Sequence, residues 1–117
     1  MTTAREKFGE YVRRMRVDKE IGLREMAKMI GVSPTYLSKV ERDEFPPPAE
    51  DKVRKIAEII GCDVDELLAR AGRVSSDLSE IIKQRPREMA ALLRTTKNLT
   101  ADAVAKLARQ AQKTKDK

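Results

Sequence analysis

Apolar residues recur at helical spacing along nearly the whole chain. Phe8, Val12 and Met15 lie at i, i+4 and i+7, with Tyr11 at the edge of the stripe. Leu23, Met26, Ala27 and Ile30 repeat the pattern, followed by Leu37 and Val40, then by Val53, Ile56, Ala57 and Ile60. Leu67, Leu68 and Ala71 make a fifth stripe. Three more follow: Leu78, Ile81 and Ile82; Met89, Leu92 and Leu93; Val104, Leu107, Ala108 and Ala111. Steps of three and four residues put each set on one face of a helix, so the pattern predicts an all-α chain.

The breaks between stripes carry helix-end chemistry. The first helix is expected from near Thr2 or Thr3 to about Lys19, and the second from about Leu23 to Ile30, with Gly22 at its N-cap and Gly31 as its turn. Ser33 is a good N-cap, and Pro34 stands at the first helical position, where no N–H partner is lost; this third helix should run to about Glu41. DEFPPPAE follows. Three prolines after Phe45 forbid helix and fix an extended connector, and Asp43 tolerates the left-handed conformation. The fourth helix spans about Ala49 to Ile60. Asp63 caps the fifth, with Glu66 three residues on as a capping-box variant. Beyond Gly72, Ser75 or Ser76 caps the sixth, Pro86 opens the seventh and Thr100 caps the eighth, while Gln112 to Lys117 should fray.

The stretch from Leu23 to Arg42, LREMAKMIGVSPTYLSKVER, is two short helices about a tight turn. On the second helix Leu37 and Val40 face inward, whereas Thr35, Ser38, Lys39 and Arg42 share the outer face. A short, polar, cationic helix face of this kind suits a DNA major groove. From about Arg16 through LREMAKMIGVSPTYLSKVERDEFPP to Leu67 and Leu68 of DELLA, the chain resembles the XRE (xenobiotic response element) regulators, which include phage lambda repressor and Cro. The resemblance implies a five-helix, lambda-repressor-like helix-turn-helix domain over residues 1–73 that binds two-fold DNA sites as a dimer. It also implies a salt bridge between Arg16 and Glu41. Three positions depart from the family's habit: Gly22 where relatives often have Ser or Thr, Asp43 where they have glycine, and Pro34 where they often place a long polar side chain. Proline cannot read a base. Base contact is therefore assigned to Thr35 and Lys39, with Ser33 at a base edge or a phosphate. Arg24, Tyr36, Ser38, Arg42 and Arg14 are assigned to phosphates, although Tyr36 at the core edge has packing as its alternative.

Composition sharpens this in three ways. The net charge of +6 is unevenly spread: residues 1–73 hold 15 Lys/Arg against 14 Asp/Glu, and residues 74–117 hold 10 against 5. Any attraction of the reader for DNA must come from local clustering. With no histidine and a single cysteine, Cys62, the usual nucleophile triads, a structural zinc set and an intramolecular disulfide are all excluded. Cys62 reads as a small buried apolar residue, and the acidic groups Glu41/Asp43/Glu44 and Asp63/Asp65/Glu66 as helix ends and caps. No enzyme, cofactor or metal is expected. No segment is apolar enough for a signal peptide or a membrane span, which points to the cytoplasm.

Residues 74–117 form a helical extension whose three stripes each need a partner. A homodimer interface is the first expectation, folding back onto the reader core the alternative, and the basic tail from Lys106 to Lys117 is solvated charge. Two rival functions share the fold: an antitoxin whose extension binds a toxin, and a protein-interaction module that has lost DNA binding.

Overall fold

The structure, a computed structural model, describes residues 6–115. The elements are α1 (Phe8–Asp18), α2 (Leu23–Ile30), α3 (Pro34–Glu41), α4 (Glu50–Ile60), α5 (Val64–Arg70), α6 (Ser76–Gln84), α7 (Pro86–Thr96) and α8 (Ala101–Lys115). The described residues are all helix, turn and loop. They divide into two units, one running to Ser76 and the other starting at Asp77.

In the first unit α4 lies against α1, α2 and α5, and α3 packs on both α1 and α2. Phe8, Val12, Met26, Ile30, Leu37, Val40, Val53, Ile56, Ile60, Leu67 and Leu68 are buried with Ala27 and Ala57 in one cluster. Each of the five predicted stripes contributes to it. Burying a Leu, Ile or Val side chain contributes about 1.5–3 kcal/mol, which makes this cluster the main favourable term for the unit.

The start of α1 differs from expectation. Thr2 and Thr3 lie outside the described residues, but Glu6 and Lys7 are not helical and α1 begins at Phe8. The Glu10 carboxylate accepts a hydrogen bond from the Lys7 N–H at 3.1 Å, and Lys7 is extended (φ −72°, ψ 161°), so the cap forms there. Where α2 ends, Gly31 takes φ 79° and its N–H returns to the Lys28 carbonyl at 3.2 Å, which turns the chain into α3.

The contact between α1 and α3 is close enough to exclude a side chain. A Cβ on Gly9 would lie 2.1 Å from the Val40 carbonyl oxygen. The Gly9 N–H donates to Asp43 Oδ1 at 2.8 Å, while Asp43 itself adopts φ 59°. At the far end, the Arg73 guanidinium donates to the carbonyl of Pro47 at 2.8 Å and to that of Pro48. Ser76 donates to the Glu50 carboxylate from both N–H and Oγ at 3.4 Å. These bonds tie the chain after α5 to the proline connector and to the start of α4.

The described residues of the second unit are three helices joined by short turns, with Pro86 at the first turn of α7 and Thr100 Oγ1 accepting from the Ala103 N–H at 3.1 Å. None of its helices carries a buried residue; Leu78, Ile81, Leu92, Leu93, Val104 and Leu107 are exposed. Gln112 to Lys115, where fraying was expected, are helical, and Asp116 and Lys117 lie outside the described residues. Helix α8 runs on to Lys115, through a run of Ala, Gln and Lys that favours helix, with Thr114 Oγ1 donating to the Gln110 carbonyl at 3.2 Å. No described helix is long and apolar enough to cross a membrane.

Gly9→Ala should lower unfolding free energy by about 1–3 kcal/mol, because α1 must move off a backbone carbonyl with no flexible atom to yield. Urea unfolding followed by circular dichroism measures this, and wild-type stability in the variant would contradict the close approach.

Candidate nucleic-acid interface

Helix α3 is built to show one face. Ser33 Oγ accepts from the Tyr36 N–H at 3.0 Å and Pro34 occupies the first turn, so the helix starts without an unpaired donor on that cap. Leu37, Val40 and Glu41 are buried; Ser33, Thr35 and Arg42 are exposed, and Tyr36, Ser38 and Lys39 are half-buried.

What holds this face outward is an ion pair beneath it. Arg16 Nε donates to Glu41 Oε2 at 2.8 Å and Arg16 Nη2 to Oε1 at 2.9 Å, a bidentate arrangement, with Arg16 8% and Glu41 4% exposed. The third guanidinium nitrogen, Nη1, donates to the Ile21 carbonyl at 2.8 Å. The hydrogen bond to Glu41 raises the Arg16 pKa against the opposing effect of burial, so Arg16 keeps its charge. Among the described residues no buried side-chain nitrogen or oxygen lacks a partner.

The cations on the outer side are committed to neighbours. Arg42 Nε lies 2.9 Å from Glu44 Oε2, and its Nη1 donates to Ser38 Oγ at 2.6 Å, which joins two of the expected phosphate residues. Arg42 holds the Glu44 carboxyl below its ordinary pKa, with Lys39 adding to the effect. Lys39 Nζ sits over the Phe45 ring, 5.4 Å from its centroid, and Tyr36 meets the same ring at 5.8 Å. Arg14 is forked on Glu6 at 2.8 and 3.0 Å and lies over Tyr11 at 5.3 Å, which places it on α1 against its own neighbours. Its hydrogen bond holds the Glu6 carboxyl below the usual range. Arg24 is exposed on the first turn of α2.

Between α1 and α3 runs an open groove of about 890 Å³. Arg13, Arg14, Arg42 and Ser38 line it, but so do Glu10, Asp18 and Asp43, and the mixture leaves little net attraction for an anion. Cys62, half-buried, has its thiol pKa pushed up chiefly by burial, so the nucleophilic thiolate is disfavoured.

Two residues at this face were not expected from the sequence to touch its cations: Glu44, read only as part of a helix end, and Phe45. The signal for them was Asp43 in a left-handed position followed by three prolines, a combination that folds the chain back on α3.

A helix-turn-helix family model matches residues 12–67. Solved relatives include SinR, the master regulator for biofilm formation, in complex with DNA; it is 30% identical over 52% of this chain and 97% of that one, with a TM-score of 0.47. SinR is from Bacillus subtilis. The clp gene regulator ClgR from C. glutamicum is 32% identical over 56% of this chain and 83% of that one, TM-score 0.47. The DNA-binding domain of the P22 c2 repressor is 31% identical over 58% and 86%, TM-score 0.49. The chain belongs to the helix-turn-helix family. No curated protein matches it significantly.

In this helix-turn-helix protein the matched segment contains Arg14, Arg16, Arg24, Ser33, Thr35, Tyr36, Ser38, Lys39, Glu41 and Arg42, and stops before α6. The motif is α2, the Gly31 turn and α3.

Glu41→Ala should destabilise the first unit by about 3–5 kcal/mol, because Arg16 stays charged and buried without its acceptor. Replacing both residues with apolar ones of similar volume, Arg16→Met with Glu41→Leu, should recover most of that loss. Denaturant unfolding of the three proteins checks both statements; a mild Glu41→Ala would show that the pair is not desolvated.

Proposed function

We propose that this protein is a sequence-specific DNA-binding transcriptional regulator, a dimeric repressor that reads an inverted-repeat operator with α3. The observation that carries this reading is the outer face of α3, where Thr35 and Lys39 stand between a capped N-terminus and a buried ion pair that fixes the helix roll. Its relatives SinR and the P22 c2 repressor have been seen with DNA, the latter on a synthetic operator.

Lys39 suits guanine O6 and N7, and Thr35 suits a thymine methyl or a single hydrogen bond. Ser33 lies at the helix entry, beside the first base or its phosphate. Ser38 and Arg42, already linked, approach the backbone together, as do Tyr36 and the Arg24 side chain at the start of α2. Arg14 joins them only by giving up Glu6. The exposed apolar stripes of α6–α8 support a homodimer formed by the second unit, since helices of this length gain little stability unless they bury a face.

Selection from a random duplex pool should recover a palindrome with half-site centres about 34–36 Å apart or a multiple. Lys39→Ala should cost about 1–3 kcal/mol per half-site and relax preference at one base pair. Glu44→Gln should act the other way and raise affinity a few-fold for all sequences, because phosphates no longer compete for Arg42. Fluorescence anisotropy over a range of salt reads both effects. Binding of no duplex even at low salt would rule the regulator out. Sedimentation should show a dimer that Leu92→Asp dissociates; a wild-type monomer would assign α6–α8 to a different protein, as in an antitoxin.

A further inference from the structure

The side chain best placed for base readout is itself held by a residue outside the motif. Asp43, anchored on the Gly9 N–H, turns the chain at the end of α3 so that the N–H groups of Glu44 and Phe45 both donate to the Lys39 carbonyl, at 2.9 and 3.2 Å. The prolines then fix the backbone on the other side, and Arg73 grips the carbonyls of Pro47 and Pro48. Phe45 is thus pinned between two constrained segments with its ring beside α3 and 41% exposed.

An exposed phenylalanine alone is ordinary. Phe45 differs in what it touches: Lys39 Nζ at 5.4 Å from the ring centroid and the Tyr36 ring at 5.8 Å, tilted by 48°. The neighbouring carboxylate of Glu44 is hydrogen-bonded by Arg42, and the Lys39 ammonium, which also feels that charge, rests on the ring. A free lysine has four rotatable bonds and loses that freedom when it docks on a base, whereas a side chain already resting on an aromatic face has less to lose.

We propose that Phe45 is a positioning residue for base readout: its ring holds Lys39 extended on the outer face of α3, so that the ammonium meets guanine with its conformation already selected. This rests on the DNA-reading function proposed above.

Phe45→Leu keeps the apolar bulk and removes the aromatic face; Phe45→Tyr keeps both. With the duplex recovered by selection and each base pair permuted in turn, Phe45→Leu should reduce discrimination about two- to fivefold at the one pair that Lys39→Ala relaxes. Phe45→Tyr should retain it, and in a Lys39→Ala background Phe45→Leu should change nothing at that pair. In the DNA-free protein, the upfield ring-current shift of the Lys39 δ and ε protons should vanish in Phe45→Leu and persist in Phe45→Tyr, with thermal unfolding showing both variants folded. Unchanged discrimination in folded Phe45→Leu overturns the proposal. So does an equal loss at every base pair, which would mean that the ring touches the DNA backbone, or a loss at the same pair that persists without Lys39. A wild-type protein with no sequence preference overturns the DNA-reading function and this role with it; loss of the expected Phe45→Leu effect alone overturns only the role.

Discussion

Arg16 and Glu41 are two opposite charges withdrawn from water among three segments of chain. The guanidinium of α1 reaches the carboxylate at the end of α3 with two donors and the carbonyl of Ile21, just before α2, with a third. Removing such a pair from water costs several kcal/mol per ion, and only the bidentate geometry and the extra carbonyl offset that. Net stabilisation is therefore small. Specificity of arrangement is the larger consequence: α3 cannot roll or slide without leaving a buried charge unpaired, so the outer residues keep their directions.

The second constraint is steric, and it acts at the same end of α3. Because Gly9 lets α1 approach the Val40 carbonyl, its N–H reaches Asp43, and Asp43 in turn sets the left-handed reversal that lays Glu44 and Phe45 over the helix end. The outer face of α3, which we propose reads DNA, is then partly self-satisfied, with Arg42 on Glu44 and Lys39 on Phe45. Phosphate binding by such a face is an exchange of partners rather than a gain of free contacts. Together with the nearly neutral charge of residues 1–73, this favours discrimination between sequences over strong non-specific attraction. For the dimeric regulator we propose, a second copy on the same duplex adds avidity, and the exposed stripes of α6–α8 are the surface proposed to supply it.

Much of this was legible in the chain itself, for identifiable reasons. Periodicity placed the five stripes of the core, since a helix face is a local property, and Ser33, Gly31, Asp63 and Pro86 placed helix ends because cap chemistry acts within a few residues. The start of α1 was expected near Thr2 or Thr3, which lie outside the described residues, whereas Glu6 and Lys7 are not helical and Glu10 closes on the Lys7 N–H, a local cap that periodicity alone does not reveal. Fraying was expected from Gln112 because chain ends commonly fray, whereas Gln112 to Lys115 continue α8.

What the sequence determined by itself was the set of helices, the buried faces of α1 to α5 and the polar face of α3, because these follow from spacing and cap chemistry within one turn. The contacts between segments distant in the chain belong to the tertiary structure. Gly9 beneath Val40, Arg14 turned onto Glu6 and Tyr11, Arg42 bound to Glu44, and Phe45 under Lys39 all depend on how the helices cross and where the connector returns. A side chain's partner is fixed only when both backbones are. The sequence therefore named Lys39 and Arg42 as cations on the outer face of α3, and the fold alone showed that each rests on a neighbour, Lys39 on Phe45 and Arg42 on Glu44.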